Sequence, residues 1–308
     1  MGSSPTPGTL KKRKLLIIVG PTSSGKSALA VELARKFDGE VISADSRQVY
    51  RGLDIGTGKI TKREMKGVPH HLMDIASPKR VFTAHDFMEK ARAAIQEIAS
   101  RGKLPIVAGG TGFYIDILVG NVLLPDVPAH LSFRRSVINS TTVELFMQLK
   151  KVDPARAKTI DPHNKRRIIR ALEVALALGK NPKPGKALVY DALWIGIDIP
   201  KKKLNRKIRE RLAIRLRRGM AAEAGRLHEG GLSYKRMEAL GLEYHSLARF
   251  LQKKISRSQL EEELARDITR YAKRQMTYWR RNKKIQWFKP SEARAIRLVV
   301  RSWIRPNF

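Results

Sequence analysis

A glycine-rich loop between a short apolar segment and a helical segment constrains this chain more than any other feature. Residues 20–27 read GPTSSGKS and match G-x-x-x-x-G-K-[ST] at every fixed position. The preceding residues 15–19 are an aliphatic run typical of a buried strand, and residues 26–37 have helical periodicity. A strand, this loop and a helix in that order predict a phosphate-binding loop in an α/β fold, and they disfavour a chance match in an ordinary turn.

The residue types of this loop suit a diphosphate group. Glycines let the backbone approach phosphate oxygens closely, so that its N–H groups and the positive end of the helix point at the anion. Lys26 adds a mobile positive charge, and the Ser27 hydroxyl is placed to bind Mg²⁺. The loop does not by itself distinguish ATP from another diphosphate. The predicted diphosphate-binding residues are Gly20, Pro21, Thr22, Ser23, Ser24, Gly25, Lys26 and Ser27.

Further strands and helices alternate along most of the chain. A helical pattern covers residues 83–101, and short apolar runs typical of strands cover residues 41–43, 104–108, 194–199 and 285–288. Such alternation predicts a parallel sheet with helices on both faces.

One internal segment breaks this alternation. It has no clear strand, contains several prolines, and shows helical patterns at 143–152 and 165–178. We therefore predict a helical insertion domain in a P-loop α/β core. The predicted organisation is a disordered basic tail (1–14), a catalytic core with C-terminal helices (15–120 and 194–308) and the insertion (121–193).

The charge balance favours a polyanionic partner. The 308 residues include 62 Lys and Arg against 28 Asp and Glu, a formal net charge of +34. Basic residues are concentrated in residues 165–170, 201–218 and 270–284, and clusters rich in arginine suit phosphate contacts. Nucleic acid is the polyanion that this pattern indicates.

Composition excludes several other classes of protein. The chain has no cysteine, which excludes disulfides, cysteine-bound zinc, iron–sulfur clusters and thiol chemistry. Its longest aliphatic run, residues 15–19, is far shorter than the roughly 20 residues that span a bilayer. The amino-terminal residues lack the apolar stretch of a secretory signal. We expect a soluble cytoplasmic protein with no membrane partner.

Two polar residues follow predicted strands and are expected at the same sheet edge as the loop. Asp45 comes after the strand at 41–43, and Thr111 follows the glycine pair that ends the strand at 104–108. Ligands of open α/β sheets bind at the carboxyl ends of the strands. Asp45 can therefore be a general base, a substrate-binding acceptor or an indirect Mg²⁺ ligand, or it can simply cap a turn. Thr111 likewise either belongs to a loop that lets a ligand approach the backbone closely or belongs to a plain turn at the end of the strand.

Two helices carry side chains whose positions need a partner. In the last long helix, the face with Arg266, Arg270, Lys273, Thr277 and Arg281 is only positive, and this suits an RNA backbone. Gln275 falls on the opposite, mainly apolar face, so it needs a hydrogen-bond partner, and we expect it to line a channel. Arg211 shares an apolar stripe with Leu204 and Ile208, where a guanidinium either extends to solvent or pairs with an anion.

Six motifs occur in an order that is specific in combination. They are GPTSSGKS (20–27), ISADSRQVYRGLDIGTGK (42–59), PHHLMDI (69–75), AGGTGFYI (108–115), NKRRIIRALE (164–173) and AKRQMTYWRR (272–281). With these motifs the chain resembles bacterial tRNA dimethylallyltransferases, from about residue 15 to its end.

The resemblance implies a reaction. The loop would hold the diphosphate of dimethylallyl diphosphate with Mg²⁺, and no nucleoside triphosphate would be cleaved. Adenosine 37 of a tRNA reading codons that begin with U would be flipped out, and its N6 would attack C1 of the prenyl group. By family motif the catalytic residues would be Asp45 as base, Thr111 as its assistant and Arg211 on the diphosphate. A monomer is the default expectation.

The resemblance also implies the residues that contact tRNA. Those near the sheet edge are Asp45, Ser46, Arg47, Gln48 and Thr111. Those in the insertion are Arg166, Arg167, Ile168, Ile169 and Arg170, together with either Arg134 or Arg135. To these we add four residues of the last long helix, Arg270, Lys273, Arg274 and Gln275.

Three other functions remain to be weighed. A P-loop kinase or ATPase acting on a small molecule would share the loop, but a small acceptor does not need three basic clusters. A prenyltransferase acting on free adenine nucleotides would share the loop and Asp45, but needs neither insertion nor basic helix. A non-enzymatic RNA-binding module leaves the intact phosphate loop unexplained.

Overall fold

A six-stranded parallel sheet forms the centre of the larger unit of this protein. The computed structural model describes residues 12–182 and 189–305. The strand order in the sheet is β3-β2-β4-β1-β5-β6, with every pair parallel. The strands are β1 (Arg13–Val19), β2 (Gly39–Ala44), β3 (His70–His71), β4 (Leu104–Gly109), β5 (Tyr190–Ile197) and β6 (Gln286–Phe288).

Helices flank this sheet, as predicted. Leu16 and Ile17 are both fully buried in β1, although successive side chains of a strand point to opposite faces, so the sheet must be covered on both sides. The helices of this unit are α1 (Lys26–Lys36), α2 (Lys62–Met65), α3 (Ala84–Ser100), α4 (Gly112–Leu118), α9 (Lys201–Arg217), α10 (Met220–Glu229), α11 (Tyr234–Leu240), α12 (Leu242–Leu251), α13 (Arg257–Trp279) and α14 (Ala293–Ile304).

Two apolar clusters stabilise the larger unit. In one, Leu16 and Ile18 of β1 pack with Leu33 of α1 and with Ile296 of α14. The other lies among α9 to α13 and includes Tyr244, Leu247 and Leu264 in its core, all fully buried or nearly so. This second cluster orients α9 and α13, the two helices with the densest basic sequence.

The chain divides into two compact units, residues 1–119 with 188–308 and residues 120–187. The smaller unit contains only helices among its described residues, and its core includes Leu145, Leu149, Ile168 and Leu172. Its boundaries differ by a few residues from the sequence-based 121 and 193. Its helices are α5 (Leu131–Ser136), α6 (Thr142–Val152), α7 (Pro154–Ala157) and α8 (Lys165–Leu178).

The structure corrects two boundaries. The expected basic tail at 1–14 falls mostly outside the described residues, but Arg13 and Lys14 are in β1, paired with Tyr190 and Asp191 of β5. The strand predicted at 194–199 therefore begins earlier, inside the segment that the sequence assigned to the insertion. Strand β1 extends beyond its aliphatic run because backbone pairing, and not side-chain hydropathy, determines where a strand begins.

No helix among residues 12–182 and 189–305 has both the length and the apolar character that crossing a membrane requires.

Candidate active site

The predicted phosphate-binding loop lies between β1 and α1, the position that the sequence indicates. Gly25 has φ +96°, a left-handed conformation that favours glycine, and it stands directly before the first residue of α1. The Ser24 hydroxyl oxygen is buried and has no hydrogen-bond partner within the described residues. An unsatisfied buried hydroxyl beside the amino terminus of an eleven-residue helix indicates a site for an anion.

Lys26 is held above this loop. Its ammonium donates a hydrogen bond to the carbonyl oxygen of Pro21 over 3.1 Å. Burial lowers the pKa of Lys26 to about 8, the charge of Asp45 opposes this shift, and the charge of Arg211 adds to it. Lys26, Asp45 and Arg211 also line the same cleft.

Asp45 has a structural role at one oxygen. Its Oδ1 accepts hydrogen bonds from the backbone N–H of Arg47 at 2.8 Å and of Gln48 at 3.3 Å, which closes a turn after β2. Capping was one of the two sequence interpretations, and it leaves the other oxygen, Oδ2, with no hydrogen bond to the described residues. The carboxylate can thus fix the turn and still accept a proton from a ligand.

Thr111 supports the same turn. Its hydroxyl accepts a hydrogen bond from the backbone N–H of Ser46 at 3.1 Å, and its own N–H donates to the Ala44 carbonyl at 3.1 Å. The Tyr271 hydroxyl interacts with the Thr111 side chain, and burial followed by the charge of Asp45 raises the pKa of Tyr271. Tyr271 therefore stays protonated, as a donor near Asp45.

The Arg211 side chain lines the cleft and has no partner among the described side chains. Its guanidinium has no hydrogen bond or ion pair to any described residue, although the buried Leu204 and Ile208 lie on the same helix α9. The surrounding protein atoms and then the charge of Arg215 lower its pKa, whereas Glu64 opposes the shift. Arg211 is exposed and lines the cleft, so its guanidinium is accessible to an anionic ligand there.

These groups line one cleft. The sequence-predicted residues on its wall include Lys26, Ser27, Asp45 and Arg211, which the chain carries in three separate segments. Residues that the sequence analysis did not assign to the site include Thr57, Gly58, Ile60, His70, Met73 and Tyr271.

Of these missed residues, only Tyr271 had a usable signal. It is four residues before Gln275 on the same face of α13. His70 contributes a neutral imidazole, because burial lowers its pKa, and its Nδ1 lies 2.9 Å from the Val68 carbonyl oxygen. No periodic pattern distinguishes the loop residues that fill the rest of the wall.

Gln275 has the partners that its position requires. It is 5% exposed, its Oε1 accepts a hydrogen bond from the N–H of Thr22 at 2.8 Å, and its Nε2 donates to the carbonyl of Gly110 at 3.0 Å. A β-carbon at Gly110 would collide with that Nε2 atom, so a larger residue at this position would displace the Gln275 amide. Gln275 lines the cleft, as predicted, and it links the phosphate loop to the end of β4.

The site also fits a magnesium ion shared with a diphosphate. Ser27 is exposed at the start of α1 and lines the cleft. The described part of the chain holds no group of three or more His, Asp or Glu able to bind a metal. Mg²⁺ in phosphate-transfer sites takes few protein ligands and keeps phosphate oxygens and waters, so one hydroxyl beside a phosphate loop is sufficient.

A basic groove runs along the exposed side of α13. It is lined by Arg270, Lys273, Arg274, Thr277, Tyr278 and Arg281. The Arg281 guanidinium lies 4.4 Å from the ring centroid of Tyr278. The periodicity of α13 had placed four of these side chains on one face, and the structure confirms that face while Leu264 and Trp279 are buried on the other.

In the insertion unit, the structure separates candidates that the sequence left equal. Arg134 donates from Nε and Nη2 to the fully buried carboxylate of Glu173, at 2.7 and 3.0 Å. Arg170 binds the same carboxylate and the Val127 carbonyl. Arg135 is exposed, with no such bond among the described residues. Arg134 therefore has a structural role that Arg135 lacks.

Two of the predicted RNA-contacting residues have side chains in or against the core of the insertion unit. Ile168 is fully buried in the core of the insertion unit, and Ile169 packs against that core. Arg166 and Arg167 of the same helix are exposed. Residues 166–170 belong to one sequence motif, but adjacent side chains of a helix point to different faces.

Comparison with known proteins identifies the family of this chain. The family model described as IPP transferase matches residues 48–282. A tRNA dimethylallyltransferase of Anoxybacillus flavithermus is 38% identical over 281 residues, 89% of this chain and 90% of that protein. The crystal structure of a tRNA isopentenylpyrophosphate transferase from Bacillus halodurans is 35% identical with a TM-score of 0.73, covering 95% of this chain and 97% of that one.

A further solved structure extends the likeness. It is of a eukaryotic dimethylallyltransferase acting on tRNA, with 25% identity, a TM-score of 0.85, and coverage of 95% of this chain and 79% of that one. The family model and the bacterial relatives each span most of the chain. This chain therefore belongs to the IPP transferase family.

Proposed function

We propose that this protein transfers the dimethylallyl group from dimethylallyl diphosphate to N6 of adenosine 37 in tRNAs that read codons beginning with U. The observation that carries the proposal is the shared cleft, in which Lys26 and Arg211 supply cations beside the Asp45 carboxylate. The two cations would hold the leaving diphosphate. The carboxylate would accept a proton from the attacking amine.

The chain's own groups account for the bond changes. N6 of the adenine forms a bond to C1 of the prenyl group while the bond from C1 to the diphosphate oxygen breaks. Asp45 accepts the N6 proton through Oδ2, because Oδ1 is engaged with the turn at Arg47. The N–H groups of the loop, Lys26 and Arg211 stabilise the negative charge on the departing diphosphate. The products are N6-dimethylallyladenosine and diphosphate.

Mg²⁺ fits the same proposal. The Ser27 hydroxyl would hold the ion together with diphosphate oxygens. When bound, Mg²⁺ supplies positive charge that neutralises the leaving group.

Two basic surfaces are the proposed contacts for tRNA. The α13 groove offers Arg270, Lys273 and Arg274 for phosphates. In the insertion unit, Arg135 and the exposed Arg166 and Arg167 offer further charges. The target base would be flipped out of its stack, since chemistry on a base requires access to it. We propose that the protein acts as a monomer.

One assay tests the proposal. The protein is incubated with Mg²⁺, dimethylallyl diphosphate labelled in the prenyl group, and an anticodon stem-loop carrying A36-A37-A38, with AMP and no acceptor as parallel arms. Label in the stem-loop is expected, and it should disappear when A37 is replaced by guanosine. Label only in AMP would support a prenyltransferase for free nucleotides. A separate arm with ATP and Mg²⁺ is followed for phosphate release, and ATP cleavage without prenyl transfer in the other arms would support a kinase or ATPase.

A further inference from the structure

A buried carboxylate outside the reaction centre holds a cleft-forming segment by its backbone. Glu223 of α10 is 5% exposed. Its Oε2 accepts from the N–H groups of Asp54 at 3.1 Å and Ile55 at 2.7 Å, and its Oε1 accepts from the N–H of Gly56 at 2.8 Å. The Tyr244 hydroxyl donates to Oε1 at 2.7 Å. All four donors converge on one carboxylate, which is a strong and specific anchor.

The carbonyl side of the same segment is held by an arginine. Arg215 donates from Nε to the Ile55 carbonyl at 2.7 Å and from Nη2 to the Gly56 carbonyl. Its Nη2 also pairs with Glu243 at 2.9 Å, and both side chains are largely buried. The Arg215 guanidinium is therefore bound to protein groups, and it does not line the cleft.

This anchored segment forms the wall next to Arg211. Thr57 and Gly58 line the cleft directly after the anchored residues. A β-carbon at Gly58 would lie 3.4 Å from Nη2 of Arg211, so the Gly58 backbone and the guanidinium are neighbours with room for about one methyl group between them. Arg211 and Arg215 are one helical turn apart on α9, and of these two it is Arg211 that has no hydrogen bond or ion pair with a described residue.

We propose that Glu223 is a positioning residue: by fixing segment 54–58 and, through it, Arg215, it keeps the Arg211 guanidinium directed into the cleft toward the diphosphate. This inference rests on the proposed function only in taking a diphosphate as the ligand of the cleft. Glu223 touches no part of the proposed substrates.

Binding of inorganic pyrophosphate with Mg²⁺, measured by titration calorimetry, tests this role. Glu223→Gln is expected to weaken binding about tenfold, because a glutamine has one acceptor oxygen and places an amide N–H₂ against backbone N–H donors. The matched control is Glu229→Gln, an exposed residue on the same helix, which should bind pyrophosphate like the parent protein.

A double-mutant cycle separates positioning from general damage. If Glu223 acts through Arg211, then Glu223→Gln combined with Arg211→Gln should bind no more weakly than Arg211→Gln alone. Losses that simply add would overturn the proposal. Affinity for the anticodon stem-loop without donor should stay within about twofold, since a global structural defect would lower it as well.

A second variant covers the case in which Glu223→Gln does not fold. Tyr244→Phe keeps the carboxylate and removes one of its four donors, so about threefold weaker pyrophosphate binding is expected. Unchanged binding in that variant would overturn the proposal. Failure of the stem-loop assay with normal pyrophosphate binding would instead refute the proposed function and leave this inference standing.

Discussion

Gln275 donates a hydrogen bond from its buried side-chain amide to the carbonyl oxygen of Gly110 over 3.0 Å. The oxygen of the same amide accepts from the N–H of Thr22 in the phosphate-binding loop. One side chain near the end of the chain therefore links two loops at the carboxyl edge of the sheet, and it completes the floor of the cleft.

Replacing Gln275 by glutamate is expected to destabilise the protein by about 1–3 kcal/mol and to weaken donor binding. The new carboxylate can still accept from Thr22, but it places an acceptor against the Gly110 carbonyl, which leaves two buried acceptors facing each other. Urea unfolding measures the stability. The control Gln96→Glu, at an exposed position of α3, should change stability by less than about 0.5 kcal/mol. Equal effects in the two variants would contradict the link.

Donor binding should depend on pH through Lys26. Because its pKa is about 8 in the free protein, Lys26 is charged below pH 8 and loses its proton above it. A bound diphosphate favours the charged form, so affinity should fall by up to about tenfold per pH unit above pH 8, with proton uptake on binding. Calorimetry of dimethylallyl diphosphate from pH 7 to 10 measures this. Lys26→Arg, which does not titrate in that range, should show a flat profile.

Asp45→Asn should separate turnover from RNA binding. The asparagine oxygen can still accept from the N–H of Arg47, so the turn is retained, but the side chain no longer accepts a proton. Turnover is expected to fall about 100-fold or more, with stem-loop affinity within about threefold. Single-turnover kinetics and a binding titration report the two quantities. Equal losses in both would assign Asp45 to positioning instead of proton transfer.

Arg134 and Arg135 should differ although they are adjacent. Arg134→Gln removes two hydrogen bonds from the fully buried Glu173 and is expected to destabilise the insertion unit by about 1–3 kcal/mol. Arg135→Gln should leave stability unchanged and weaken RNA binding. Hydrogen exchange in α8 and a stem-loop titration distinguish them. The opposite assignment of effects would show that the ion pair with Glu173 does not decide their roles.

The α13 groove should set the salt dependence of RNA binding. Arg270→Gln together with Lys273→Gln should reduce the slope of log affinity against log salt concentration by about one for each phosphate contact removed. Lys36→Gln, at the far end of α1 from the phosphate loop, should leave the slope unchanged. A slope that is the same in all three proteins would place the RNA elsewhere.

Several parts of this protein follow from the sequence alone. The phosphate loop is one contiguous segment, so residue types, strand and helix could all be recognised locally. Asp45 and Thr111 were placed correctly because parallel strands bring their carboxyl ends to one edge. The faces of α13 followed from helical periodicity, which also required a partner for Gln275.

Only the tertiary structure decided which side chains meet. Glu223 anchors backbone groups more than 160 residues away, at Asp54 and Ile55, and no local pattern carries such a pairing. The pairing of Arg134 with Glu173 likewise depends on how two helices pack, since both adjacent arginines have the same propensity and charge. Periodicity determines the face on which a residue lies, whereas its partner is determined by packing between segments that are distant in the chain.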